Sequence, residues 1–97
     1  MTTETLDPKK PSETVRITFE LRRVVDAVAG QPTLQITLQG GKPDPAIGSM
    51  LVGLPTVTGT KVKALVRAGL AGNTYTLRLT YGDGEQVLVE DVLLPVR

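Results

Sequence analysis

The sequence predicts a small all-β domain built as an antiparallel sandwich. Short segments alternate between apolar and polar residues, and turns rich in Gly and Pro separate them. A chain of 97 residues has room for one modest core and no second one. We therefore expect about six or seven short strands, one helical turn and an extended N-terminal arm.

Residues 1–13 are expected to form an arm that is flexible or bound to a partner, and residues 14–97 the sandwich domain. The arm is polar, charged and proline-bearing, and Leu6 is its only large apolar side chain after Met1. Such a segment cannot bury itself alone. We predict that it lies across a neighbouring subunit with Leu6 as an apolar anchor. We also expect MTTETL to be the natural start of the chain.

The first half of the domain predicts three strands. Strict alternation from Val15 predicts the first, and helical spacing directly after it predicts one helical turn. Residues 33–39 alternate again and end at the turn signal GGKPDP. Residues 46–58 are apolar without a clean period, and Pro55 among them predicts a short edge strand.

The last third has the most regular pattern. Alternation from Lys61 and again from Tyr75 predicts two antiparallel strands joined by a loop at residues 68–73. Gly82, Asp83 and Gly84 then predict a tight hairpin into a final strand at residues 86–94. The side chains expected to form the structural core include Phe19, Tyr75, Leu77 and Leu79.

Two carboxylate pairs invite a functional interpretation. Glu90 and Asp91 are adjacent, so a regular strand would turn one of them inward. We interpret the pair as a β-bulge that keeps both carboxylates in solvent, in preference to a buried functional acid. Asp83 lies in the predicted glycine turn, where Asp is favoured for its local backbone conformation. The sequence leaves open whether Asp83 and Glu85 bind a cation.

The sequence contains few of the residue types that enzymes use for catalysis. The chain has neither His nor Cys, so Ser12 and Ser49 have no partner that would activate them as nucleophiles. No glycine motif for phosphate or dinucleotide binding is present. We expect no enzyme activity, no catalytic residues, no metal, no cofactor and no small-molecule substrate.

Charge and hydropathy point away from nucleic acid and membrane as partners. The chain contains eleven Lys and Arg and ten Asp and Glu, and its basic residues are scattered along the sequence without forming a basic tract. The N-terminus has no apolar signal-peptide region, and no apolar run is long enough to span a bilayer. Lys61, Lys63 and Arg78 are expected to line one exposed face, either as a solvated surface or as a patch for an acidic partner.

A surplus of apolar residues predicts a protein interface. In the final strand, Leu88 and Leu93 are expected on the face that points away from the core. The segment 46–54 also carries more apolar side chains than a small sandwich can bury, and such a surplus is typical of an interface. The predicted surface combines this strand and this segment. Its candidate interface residues, with the arm included, are Leu6, Ile47, Met50, Leu51, Leu54, Leu88 and Leu93.

The stretch from Thr60 to Arg97 resembles the second half of the Ig-like fibre-tail adaptor proteins of tailed bacteriophages. In that family a loop of the form Ala-Gly-x-Thr-Tyr-Thr leads into a strand, and a glycine hairpin leads into the last strand. The matching residues here are Ala71, Gly72, Asn73, Thr74, Tyr75 and Thr76. Residues 8–41 are more weakly similar to the family's arm, first strand, helical connection and second strand.

The resemblance implies an Ig-like sandwich that acts as a non-enzymatic structural protein of the virion. It implies contacts with copies of itself in a ring and with other phage tail, neck or fibre proteins. The expected location is the tail or neck of the virion, and the host cytoplasm during assembly. Two alternatives stay open: a capsid decoration protein, and an Ig-like adhesive or ligand-binding module of a bacterial surface protein.

Overall fold

A computed structural model describes residues 4–21, 28–82 and 85–97. The helical turn predicted after the first strand falls largely outside these ranges. Asp83 and Gly84 of the predicted hairpin, together with the question of cation binding at Asp83, also lie outside the described residues.

The described residues form strands and one short helical turn, which confirms the all-β prediction. The turn is a 3-10 helix at Ile47–Ser49. The strands are β1 (Glu4–Thr5), β2 (Val15–Glu20), β3 (Ala29–Gly40), β4 (Leu51–Thr58), β5 (Lys61–Val66), β6 (Thr74–Gly82) and β7 (Val87–Pro95).

The strands make two sheets, in the orders β1-β7-β6-β3 and β2-β5-β4. All neighbours are antiparallel except β1, which runs parallel to β7. The two sheets, of four and three strands, form a small all-β sandwich in which the first strand, β1, pairs with the last strand, β7. The strand β4 lies at a sheet edge, where Pro55 removes no hydrogen bond that an interior strand would need.

The core lies between the sheets because alternate residues of each strand point inward. Phe19 on β2 and Val62 on β5 face Tyr75, Leu77 and their neighbours on β6 across this space. The core is mainly aliphatic and also contains the three aromatic residues of the chain, and each fully buried Leu or Val contributes on the order of 1.5–3 kcal/mol. All four residues predicted to be structural are buried: Phe19, Tyr75, Leu77 and Leu79.

The bulge predicted at Glu90 and Asp91 is wrong. The β6–β7 register is unbroken from Thr74↔Pro95 to Gly82↔Val87, so Glu90 points to the core side of the sheet. Its carboxylate lies at the margin of the core and accepts a hydrogen bond of 2.9 Å from the Tyr81 hydroxyl. A phenol at the end of β6 supplies the polar partner that makes a regular strand possible.

Two predictions about neighbouring strands are also corrected. The strands β5 and β6 belong to different sheets, so the loop at residues 67–73 crosses the sandwich and does not close a hairpin. For the same reason Lys61 and Lys63 lie on one sheet and Arg78 on the other, and they share no face. Alternation shows which side of a strand is buried but not the sheet to which the strand belongs.

Replacing Gly41 by Ala should destabilise the fold by about 2–4 kcal/mol, because its backbone is left-handed and the added Cβ would overlap a neighbour. The φ of Gly41 is 119°, and an ideal Cβ there lies 2.9 Å from the Cα of Asn73 and closer still to its side chain. Urea denaturation measures the loss. Gly40→Ala is the matched control, since its Cβ meets nothing within 4 Å. Equal stability of the two variants would contradict this account.

Candidate interaction surfaces

A buried polar group joins the loops at one end of the sandwich. We call Asp44, Asn73 and Tyr75 the corner cluster. The Tyr75 hydroxyl accepts hydrogen bonds from the backbone N–H of Leu70 at 2.9 Å and from Nδ2 of Asn73 at 3.1 Å. It donates to Oδ2 of Asp44 at 2.8 Å. A tyrosine at the start of this strand that binds upstream backbone is the tyrosine corner of Ig-like domains.

Asn73 completes the corner cluster, because its side-chain amide binds both the backbone N–H and the backbone carbonyl oxygen of Lys42. Its Oδ1 accepts from the Lys42 N–H at 2.8 Å, and its Nδ2 donates to the Lys42 carbonyl oxygen at 2.8 Å. Both Nδ2 hydrogens are thus used, one on Lys42 and one on Tyr75. A buried amide is costly unless it is satisfied in this way. The β3–β4 loop and the β5–β6 loop are therefore held together by one side chain.

The N-terminal arm lies along β7 of its own chain, which corrects the prediction that the arm crosses a neighbouring subunit. The Leu6 N–H donates to Leu93 O at 2.8 Å, and Lys9 exchanges backbone hydrogen bonds with Pro95 and Arg97. Leu6 packs against its own core. Backbone groups at the edge of β7 attract the arm, and this attraction does not depend on apolar side chains in the arm.

Lys9 fixes the arm to the β5–β6 loop. Its side chain is 2% exposed, and its ammonium donates to the carbonyl oxygens of Ala68 at 2.5 Å and Lys10 at 2.6 Å. Burial lowers the pKa of Lys9, and the charge of Glu13 opposes that shift. Even the neutral amine has hydrogens for both carbonyls, so the attachment does not require the charge.

The outer face of the three-stranded sheet contains a groove of about 370 Å³, which we call the β4 groove. It forms where the β4–β5 ladder is interrupted: residues 53–55 lie opposite Ala64 alone. Gly53 takes a φ of 70°, and the carbonyl of Pro55 accepts a hydrogen bond of 2.8 Å from Gln31. This bulge turns Leu54 outward, where it is 75% exposed.

Two cationic side chains border the β4 groove. Arg16 is paired with Leu65 and Lys63 with Thr18, which makes Arg16 and Lys63 diagonal neighbours on one face. Neither forms an ion pair with any residue that the structure describes, whereas Lys61 on the same face lies 3.9 Å from Glu20. The groove therefore combines positive charge with exposed aliphatic surface.

The outer face of the four-stranded sheet has a different character. Arg78 and Asp91 form a bidentate ion pair, in which Nε donates to Oδ1 at 2.9 Å and Nη2 donates to Oδ2 at 3.1 Å. The Arg78 hydrogen bond holds the pKa of Asp91 below its usual value, although burial partly opposes the shift. Val87 and Val89 on the same face are 79% and 43% exposed.

The residues predicted to form an interface do not lie on one surface. Met50 is completely buried and Leu88 faces the core, so both are corrected: they pack inside the sandwich. Leu88 faces inward because β7 is regular, which exposes Val87 and Val89 instead. Met50 directly follows the 3-10 helix, and its carbonyl oxygen accepts a hydrogen bond of 2.8 Å from the Arg67 N–H. Ile47 and Leu51 are half-buried against the core, Leu93 is half-buried on the outer face, and Leu54 is exposed.

The sequence pointed to Tyr75 but not to its partners. Asn73 follows Gly72 in a turn signal, whereas nothing in the local sequence marks Lys9 or Arg16. Within residues 4–21, 28–82 and 85–97, no group of three or more His, Cys, Asp or Glu is arranged to hold a metal ion. In the same ranges, no helix has the length and apolar character needed to cross a membrane.

Removing the Tyr75 hydroxyl with Tyr75→Phe should cost about 1–3 kcal/mol, because Asp44, Asn73 and Leu70 lose a buried partner. Tyr75→Ala should cost about 3–5 kcal/mol, since a cavity is added. Thermal and urea unfolding measure both. Tyr81→Phe, which removes a hydroxyl at the margin of the core, should cost less than Tyr75→Phe. A Tyr75→Phe variant as stable as the native chain would show that the cluster contributes nothing.

Lys9 should give the chain a distinctive pH dependence. Because its pKa is lower in the folded state than the ordinary value of 10.5, the unfolded chain binds more protons between these two pKa values. The Lys9 contribution to the free energy of unfolding should therefore rise with pH across that interval. Lys9→Met should lack this rise when the two proteins are compared by urea unfolding from neutral pH to about 10.5. If the free energy of unfolding changed with pH in parallel for the two proteins, the pKa of Lys9 would not be lowered in the folded state.

Comparisons with known proteins give no match for the whole chain or for a part of it. No protein-family model matches, and neither curated proteins nor solved structures show a significant similarity.

Proposed function

We propose that this chain is a non-enzymatic structural protein of a tailed-phage virion that joins tail, neck or fibre components through protein contacts. The observation that carries the proposal is the segment Ala71–Thr76, which resembles the Ala-Gly-x-Thr-Tyr-Thr loop of Ig-like fibre-tail adaptors. In this chain the segment forms the turn before β6 and contributes Asn73 and Tyr75 to the corner cluster.

The surfaces support a protein that contacts more than one neighbour. Both sheets present strongly exposed aliphatic side chains, Leu54 on one and Val87 on the other. These lie on opposite faces of the sandwich, so two partners could bind without competing. Exposed apolar side chains among charges are typical of protein interfaces.

The proposal predicts that purified phage particles contain the chain. Particles from a host that carries the gene should show the protein by mass spectrometry, and immunogold microscopy should place it at the tail or neck. Antibodies to the major capsid protein give the matched control for labelling. Particles assembled without the gene should lack tails or fibres. Absence of the chain from intact particles, or gold only over the capsid, would contradict the proposal.

A further inference from the structure

We propose that β2 binds an extended segment of a partner protein as an added antiparallel strand, with a carboxylate of that segment beside Arg16. The site is the open edge of β2, defined here by the backbone groups of Arg16, Thr18 and Glu20. This inference rests on the proposed function and names the way in which such a protein would hold a neighbour.

Half of the β2 backbone faces away from β5, the strand with which it pairs. The Leu21 N–H donates to the carbonyl oxygen of Thr60 at 2.9 Å, in line with the β2–β5 register. Hydrogen-bonded and non-hydrogen-bonded pairs alternate along an antiparallel ladder, so the odd-numbered residues of β2 bind β5. The N–H and C=O groups of Arg16, Thr18 and Glu20 therefore point to the open side. These three residues are exposed, and no strand among the described residues pairs with that side.

The other sheet edges carry features that hinder the addition of a strand. The strand β4 is interrupted by its bulge and by Pro55, and β3 contains Pro32 and register shifts near both ends. The strand β1 occupies the edge of β7 and is itself only two residues long. In contrast, β2 keeps one register over six residues, contains no Pro or Gly, and turns no charged side chain inward. It is therefore the regular edge that the described residues leave open.

The two sheets are also unequal in width on the side of β2. The edges β3 and β4 meet on the other side, where the Gln31 side chain donates to the Pro55 carbonyl oxygen at 2.8 Å. The four-stranded sheet therefore extends one strand further beside β2, and β1 has no strand opposite it. Leu6 and Val15 are half-buried against the core at this margin. A strand added to β2 would lie opposite β1, and its inward apolar side chains would cover both residues.

The charges on the outer face determine which segment fits. Arg16 forms no ion pair with any described residue, and Lys63 is its diagonal neighbour on β5. A carboxylate opposite Arg16 would form charge-assisted hydrogen bonds and reduce the repulsion between the two cations. Glu20, at the far end of β2, lies 3.9 Å from Lys61 and needs no second cation. The preferred segment thus alternates apolar and polar residues and places an acidic residue opposite Arg16.

Synthetic peptides with blocked termini test the inference on the full chain. The acidic probe, Lys-Val-Thr-Val-Glu-Val, places Thr opposite Thr18 and Glu opposite Arg16 when it runs antiparallel to β2. The basic probe has Lys in place of that Glu. In an NMR titration the acidic probe should shift the amide signals of Arg16, Thr18 and Glu20, and the basic probe should bind about fivefold more weakly. Arg16→Glu should reverse this preference.

A proline at the open edge tests the backbone pairing. Thr18→Pro removes an N–H that points away from β5, so the variant should fold, and circular dichroism checks this. It should bind the acidic probe about tenfold more weakly or not at all, because the added strand loses a hydrogen bond and meets the proline ring. Thr18→Val keeps the N–H and is the matched control. An N-methyl group on the Thr of the acidic probe removes the complementary donor and gives the same test without changing the chain.

Several outcomes would overturn the inference. They are no binding of the acidic probe at millimolar concentration, equal binding of the two probes, unchanged binding of the N-methylated probe, and shifts confined to β3 or β4. Concentration-dependent shifts of the β2 amides without peptide would also overturn it, since they would identify a second copy as the occupant. A chain that is present in tails but binds no probe would defeat this inference alone. A chain that binds the acidic probe but is absent from particles would defeat the proposed function alone.

Discussion

The three hydrogen bonds of the Tyr75 hydroxyl are the constraint on which this sandwich depends most. They join the β3–β4 loop, through Asp44, to the β5–β6 loop, through Leu70 and Asn73. The same loop binds the C-terminal segment, because the N–H of Val96 donates to Asn73 O at 2.8 Å. Lys9 adds the arm through its bond to Ala68. Four segments that are distant in sequence therefore meet at one end, where burial makes each hydrogen bond difficult to lose.

This arrangement divides the molecule into two parts with different roles. The apolar core holds the two sheets together without directional preference, whereas the hydrogen bonds of the corner cluster determine how the loops are arranged. In the β6–β7 hairpin, the Tyr81 hydroxyl donates to Glu90 at 2.9 Å, and Val87 is exposed to solvent. The β4 bulge exposes Leu54 in a similar way on the other sheet.

Local periodicity was sufficient to predict most strands, the buried face of β2, β5 and β6, and the edge position of β4. It was insufficient wherever long-range pairing decides the outcome. Asp44 and Lys42 lie 31 residues from their partners Tyr75 and Asn73, so no local pattern could connect them. The bulge at Glu90 was predicted because the Tyr81 hydroxyl could not be foreseen as its partner. The arm was misplaced because its contacts are mostly backbone hydrogen bonds, which sequence composition does not encode.

Amide hydrogen exchange tests most directly whether the corner cluster holds this end of the fold together. The N–H groups of Leu70 and Lys42 lie in loops, and each donates to a side chain of the cluster. Loop amides normally exchange through low-energy local openings, whereas core strands open only with global unfolding. The account predicts that these two amides exchange as slowly as those of Leu77 and Leu79 in β6. Exchange at the rate of exposed loops, with β6 still protected, would contradict it.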